Sequence, residues 1–88
     1  MSDIVKGQMV ISKAGRDKDL YFIVVDVQKP YVYLVDGKHR RLEHPKRKKE
    51  IHIQLTNFVD KQIQDLLEKN KVTNAEIRKC LSQRESIE

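Results

Sequence analysis

The pattern of apolar and polar positions in the first half of the chain is that of short β-strands. Residues 51–55 (IHIQL) alternate apolar and polar, and residues 8–13 (QMVISK) place Met9 and Ile11 on one face with Val10 and Ser12 on the other. Residues 21–27 (YFIVVDV) and 31–35 (YVYLV) are instead rich in β-branched and aromatic side chains, a composition that fits a pleated, partly buried surface. These four segments are predicted to be strands.

Turn signals join these segments. Gln28-Lys29-Pro30 is a short break, because proline has no backbone donor for a strand ladder. Asp36-Gly37 directly follows a strand and is a strong hairpin signal, so residues 41–43 are expected to return as the next strand. Five short strands with tight turns predict a mainly β fold, a small barrel in which the exposed edges are removed.

The second half of the chain changes to a helical period. Four apolar side chains fall at i, i+4, i+7 and i+8, which is one helical stripe: Val59, Ile63, Leu66 and Leu67. Thr56 or Asn57 can cap the start of this helix, and Asn70 can end it in a left-handed conformation.

A second helix is predicted from Thr73, because Thr73 and Glu76 match a capping box. Its apolar positions continue on one face at Ile77, Cys80 and Leu81. Helices this short are marginal alone, so the pair is expected to dock on the barrel or on a partner. The predicted organisation is a barrel over residues 4–56, a two-helix appendage over 57–84 and a frayed tail over 85–88.

Positive charge is concentrated in one segment. The 88 residues carry a net charge of +5, yet residues 38–49 (KHRRLEHPKRKK) hold seven Lys or Arg against one Glu. The rest of the chain is therefore close to neutral. Because such a patch suits a polyanion, and Arg and Lys suit phosphate oxygens, the segment predicts a polyanionic partner.

Candidate catalytic and metal-binding groups are sparse. His39, His44 and His52 lack the spacing of a zinc site, and Cys80 lies on an apolar helix face with no His or Asp nearby in sequence. Cys80 is therefore interpreted as a small buried hydrophobe. With no Trp and 39% hydrophobic residues, a deep catalytic cavity is not expected. We expect no enzyme activity, no cofactor, no metal and no small-molecule substrate.

The location is predicted from cysteine usage and hydropathy. A single cysteine excludes an intramolecular disulfide and favours a reducing compartment. No stretch of about 20 apolar residues and no apolar leader is present. The sequence therefore predicts a cytoplasmic protein without a membrane partner.

The segment 5–20 (VKGQMVISKAGRDKDL) is the second informative feature. Gly15 stands where a strand meets a polar loop, which predicts a backbone with positive φ or a close approach to a ligand. Arg16 and Lys18 project from this loop, with Lys13 nearby. The alternative is an ordinary turn whose charges only keep it hydrated.

Two pieces of the chain, SKAGRDK (12–18) and DGKHRRLEHPKRKK (36–49), together resemble the KOW-motif RNA-binding proteins. The similarity covers roughly residues 5–56 and is greatest to small bacterial members related to KOW-bearing large-subunit ribosomal proteins of archaea and eukaryotes. It implies an SH3-like barrel whose first two strands and their loop bind RNA, commonly ribosomal RNA. The KOW glycine falls on Gly15 and the loop cations on Arg16 and Lys18. Many KOW elements have glycine after the loop lysine, where this chain has Asp19.

The sequence therefore predicts a non-catalytic, ribosome-associated protein that binds structured ribosomal RNA, beside ribosomal proteins. The residues expected to contact RNA are Lys13, Gly15, Arg16, Lys18, Lys38, His39, Arg40, Arg41, Lys46, Arg47, Lys48 and Lys49. The two cation groups must share one face for this hypothesis to hold. Tyr21, Tyr31 and Tyr33 can either stack on bases or pack in the barrel.

Two alternatives remain at this level. A protein-interaction module would use the barrel and the helical hairpin to contact an acidic protein partner. A polybasic membrane-surface binder is ranked last, because the chain has no lipidation site and no adjacent basic amphipathic helix.

Overall fold

The computed structural model describes residues 4–87, with side chains described as far as Gln83. Five strands come first, and a single 3₁₀ turn, Glu50–His52, separates the last two. The strands are β1 (Gln8–Ser12), β2 (Tyr21–Gln28), β3 (Tyr31–Val35), β4 (Lys46–Lys49) and β5 (Ile53–Val59). Two helices follow, α1 (Lys61–Glu68) and α2 (Asn74–Ile87). The mainly β fold with a C-terminal helix pair is as predicted.

All five strands form one antiparallel sheet in the order β4-β3-β2-β1-β5. The sheet is strongly curled. In a flat sheet β4 and β1 would lie ~14 Å apart, beyond the reach of a lysine side chain. Yet Lys48 of β4 donates a hydrogen bond to the Ser12 hydroxyl of β1 over 2.9 Å. The two strands therefore approach each other across the concave side of a barrel-like sheet.

The concave face of the sheet holds a core of its own. Its side chains are at most 1% exposed and come from three neighbouring strands: Val10, Phe22, Val24, Val32 and Leu34. Ile53 and Leu55 of β5 pack against this cluster. Because the described helices belong to a different cluster, curvature of the sheet is what buries this face.

The two helices cover one end of the convex face. Ile63 of α1 and the predicted α2 positions Ile77, Cys80 and Leu81 are buried in one cluster with three sheet residues, Met9, Ile23 and Val35. This confirms that the pair docks on the sheet. A protein-interaction module would need the apolar stripe of these helices to contact its partner. In this chain the stripe is already buried against the sheet.

The helix ends are partly as predicted. Asn70 has φ +58°, and Thr73 and Glu76 form the capping box, with the Thr73 backbone N–H donating to Glu76 Oε1 over 2.9 Å. The start of α1 was predicted wrongly. Its cap is Asp60, whose carboxylate accepts from the Ile63 backbone N–H, and Val59 belongs to β5 rather than to the helical stripe.

The fourth strand was also placed wrongly. Residues 41–43 are a loop, and the strand is formed by the basic run Lys46–Lys49 itself. At the C-terminus α2 extends to Ile87, while Glu88 of the predicted frayed tail lies outside the described residues. Neither described helix is long and apolar enough to span a membrane.

Candidate nucleic-acid interface

The loop between β1 and β2 is a compact turn that carries the first group of cations. Gly15 has φ +83°, which confirms the predicted positive φ, and its carbonyl accepts from the Lys18 backbone N–H over 3.3 Å. Asp19, at the position where glycine is frequent in KOW elements, also has positive φ, at +71°. Aspartate is among the few residues that adopt this conformation readily, so the chain can turn here without a glycine. Arg16 and Lys18 are exposed on it.

Asp17 fixes this loop to β4. Its carboxylate lies 2.7 Å from Lys48 Nζ through Oδ1 and 2.8 Å from Lys46 Nζ through Oδ2, and it accepts from the Ser12 hydroxyl over 2.7 Å. Burial alone would raise the pKa of Asp17, but the hydrogen bonds from Lys46, Lys48 and Ser12 outweigh it and hold the pKa well below its usual range. The loop is therefore held against the basic strand by an internal ion-pair cluster.

Lys48 must be removed from the predicted RNA contacts. It is only 9% exposed, and its three N–H groups donate to Asp17 Oδ1, the Ser12 hydroxyl and the Ala14 carbonyl at 2.7, 2.9 and 2.8 Å. An ammonium group has three donors, so none remains for a phosphate. Because side chains alternate along β4, Lys48 lies on the concave side, opposite Val32. The run of four cations does not reveal this orientation by itself.

The loop between β3 and β4 carries the second group of cations and leaves the sheet at the same end as the first. In a run of antiparallel strands alternate connections share an end, so the β1–β2 and β3–β4 loops are neighbours. Asp36 organises the second loop, because its Oδ1 accepts from the backbone N–H groups of Lys38 and Arg40 over 2.9 and 2.8 Å. Lys38, His39 and Arg40 are exposed on this turn.

Helix α2 supports this second loop. Arg78 donates to the Gly37 carbonyl over 2.7 Å, and Asn74 accepts from the Leu42 backbone N–H over 2.8 Å while donating to Glu43. Gly37 has φ +77°, and a Cβ there would collide with the Asn74 carbonyl oxygen. Sequence reasoning missed Asn74 and Arg78, whose only signal was their place at the start of a capped helix.

A recess lies between the two loops and α2. Its volume is about 390 Å³, and its lining includes Leu20 and Tyr21 from the first loop and β2, and Lys38, His39 and Arg78 from the other elements. Asp36, Leu81 and Ser82 also line the recess, so it combines apolar side chains with charges of both signs. Tyr21 packs against the helix-covered core, so the packing interpretation applies to this tyrosine.

The predicted cations fall into two groups by their partners. Among the described side chains, four are ion-paired: Lys13 with Asp19 at 3.6 Å, Arg41 with Glu43 at 3.2 Å, and Lys46 and Lys48 with Asp17. Six others form no ion pair within the described part of the chain: Arg16, Lys18, Lys38, Arg40, Arg47 and Lys49. These six lie in the two loops and on the outer side of β4, and of the ten predicted cations they are the ones left without an ion pair among the described residues.

No group of three or more His, Cys, Asp or Glu residues is arranged to hold a metal ion within residues 4–87. Cys80 is buried, and its sulfur lies 3.1 Å from Oδ2 of Asp60, the cap of α1. The predicted burial of Cys80 is therefore confirmed, but its thiol donates a hydrogen bond to a carboxylate, so it is not a purely apolar side chain.

Comparison with known proteins adds no relative to this picture. No protein-family model matches the chain, and no curated protein matches it by sequence. The resemblance to the KOW family therefore stays a prediction carried by the residues quoted above.

Proposed function

We propose that this chain is a non-catalytic, cytoplasmic RNA-binding protein of the KOW type that contacts structured ribosomal RNA and acts in translation. The observation that carries the proposal is the position of the cations. The β1–β2 and β3–β4 loops, which share one end of the sheet, carry Arg16, Lys18, Lys38 and Arg40. Arg47 and Lys49 lie on the convex side of β4, so the cation groups share that end and the adjoining edge rather than a single face.

The chemistry of these groups favours a phosphate backbone. Lys and Arg side chains that contact phosphates release condensed counterions, which supplies most of the sequence-independent affinity for nucleic acids. The cations are carried by loops and a sheet edge rather than by a helix that could enter a groove. Such elements suit A-form RNA, whose deep major groove admits no helix but whose backbone and 2′-hydroxyl groups are accessible.

The first test is the salt dependence of binding to a ribosomal RNA fragment. We compare Arg16→Ala/Lys18→Ala with Lys61→Ala/Lys69→Ala, a control that removes the same charge from α1 and the residue that follows it. The loop variant is expected to lower the slope of log K against log salt by about 1.4 to 1.8, at ~0.7–0.9 for each phosphate that is no longer neutralised. The control should leave the slope close to that of the native protein. Equal slopes for the two variants would reject this loop as the RNA-binding element.

Sedimentation of cell lysate tests the ribosomal target. The protein should co-migrate with the large ribosomal subunit at low salt and be released at high salt. Absence from every ribosomal fraction would exclude that target, and a complex that survives nuclease treatment would identify a protein partner in place of RNA.

A further inference from the structure

The convex face of β3 and β4 carries two aromatic side chains that no described helix covers. Tyr31 and Tyr33 alternate along β3 with the buried Val32 and Leu34, so they point away from the concave core. Both rings are partly exposed, and neither belongs to the concave cluster nor to the helix-covered cluster. Core packing therefore does not account for either of them, in contrast to Tyr21.

Two cations without an ion pair among the described residues lie beside these rings. The antiparallel register sets Arg47 opposite Tyr33 and Lys49 opposite Tyr31. The Arg47 guanidinium also lies 4.4 Å from the centroid of the Tyr31 ring, in cation–π contact. A guanidinium that packs one face on a ring can receive another flat group on its opposite face. We call Tyr31, Tyr33, Arg47 and Lys49 the aromatic–cationic surface.

We infer that the aromatic–cationic surface stacks the bases of unpaired RNA nucleotides, while the two loops hold the phosphates of an adjoining structured segment. This inference rests on the proposed RNA-binding function and narrows its ligand to RNA in which a duplex or folded part continues into a single strand. Bases stack on Tyr and Arg planes regardless of sequence, and their phosphates suit the flanking cations.

Charge and spacing support this occupant. On β2, Asp26 lies opposite Tyr33. Its carboxylate lies 3.9 Å from the Lys6 ammonium group, so this acid does not cancel the positive charge of Arg47 and Lys49. Tyr31 and Tyr33 are two residues apart on a strand, or ~7 Å. That distance corresponds to about two base-stacking steps of ~3.4 Å. A short single strand running along β3 could therefore place one base on Tyr33 and another on the open side of the stack that Tyr31 forms with Arg47.

The test separates stacking from charge. An eight-nucleotide single-stranded RNA is compared with an abasic strand of the same length, which keeps the phosphates and lacks the bases. The native protein is expected to bind the strand with bases about ten-fold more tightly or better. Tyr31→Leu/Tyr33→Leu should bring this ratio close to one, while Tyr31→Phe/Tyr33→Phe, which keeps both rings, should preserve it. Circular dichroism verifies that each variant is folded.

Tyrosine fluorescence gives a second readout, because the chain has three Tyr and no Trp. Quenching by the base-containing strand, absent with the abasic one, supports the inference. Equal affinity for both strands, with salt-dependent binding of structured RNA retained, overturns the stacking surface and leaves the proposed function standing. Failure to bind any RNA overturns both. Quenching by an acidic peptide or by self-association, without RNA, assigns the surface to a protein and also overturns it.

Discussion

The two sides of β4 differ sharply although the strand consists of four consecutive cations. Lys46 and Lys48 point to the concave side and bind Asp17, whereas Arg47 and Lys49 point outward beside Tyr31 and Tyr33. Lys48 is 9% exposed, while Arg47 and Lys49 are exposed. Because side chains alternate along a strand, like charges one residue apart pair with Asp17 on one side and form no ion pair with the described residues on the other.

The difference between the two sides shows why a basic run cannot be treated as one functional unit. The inward pair positions the β1–β2 loop, so it affects a ligand only through Arg16 and Lys18. The outward pair touches whatever binds to the convex face. Substituting the whole run at once would mix a folding defect with a binding defect.

The largest difference should appear when the two sides are substituted singly. Lys48→Ala leaves the buried Asp17 with Lys46 as its one remaining cation, and we expect the free energy of unfolding to fall by about 3 kcal/mol. Lys49→Ala removes an exposed charge and should change stability by less than ~0.5 kcal/mol. Urea unfolding of both variants measures these changes in the free energy of unfolding. A similar decrease in the two would mean that burial of Lys48 contributes little.

The pH dependence of stability should come from the inward side. The pKa of Asp17 is depressed in the folded protein, so its stabilising contribution is complete above the pKa of the unfolded chain, ~3.9. The contribution declines progressively as the pH falls below that value toward the lower folded pKa. Urea midpoints measured from pH 6 to pH 2 should therefore decline more steeply in the native protein than in Asp17→Asn. Parallel curves would contradict the assignment of this carboxylate.

A smaller change in stability than in Lys48→Ala is expected when both partners are replaced together. Asp17→Leu/Lys48→Met exchanges the buried ion pair for apolar side chains, a kind of replacement that is often close to neutral. Urea unfolding should place the variant within about 1 kcal/mol of the native protein. Affinity for structured RNA should nevertheless fall several-fold, because Arg16 and Lys18 are no longer held by a fixed loop. Unchanged affinity in a stable variant would show that the ion pairs serve stability alone.

Local patterns predicted much of the fold. The strands around Met9, Phe22 and Val32 and the capping box at Thr73 depend on neighbours within a few residues, so the sequence carries their signal directly. β4 was missed because four adjacent cations show no apolar alternation and have low strand propensity. The start of α1 was misplaced because Val59 happens to lie four residues before Ile63, although Asp60 between them is a better cap.

The site was predictable in composition but not in arrangement. The cations and Gly15 were identified from charge and turn chemistry. The burial of Lys48 could not be predicted, because its main partner Asp17 is 31 residues away and contacts it only after the sheet curls. The support of the second loop by Asn74 and Arg78 depends on the same long-range packing.

The position of β4 in the sheet order has a consequence for association between copies of the chain. β4 is an edge strand, and an edge with unpaired backbone groups is a template for adding a strand from another molecule. Arg47 and Lys49, which lie on the side of β4 away from Asp17, would repel an identical edge and so disfavour such pairing in the free protein. A polyanion that neutralises these charges would remove that protection while covering the edge itself. Resistance to edge pairing and the proposed ligand contact would therefore draw on the same two outward residues, Arg47 and Lys49.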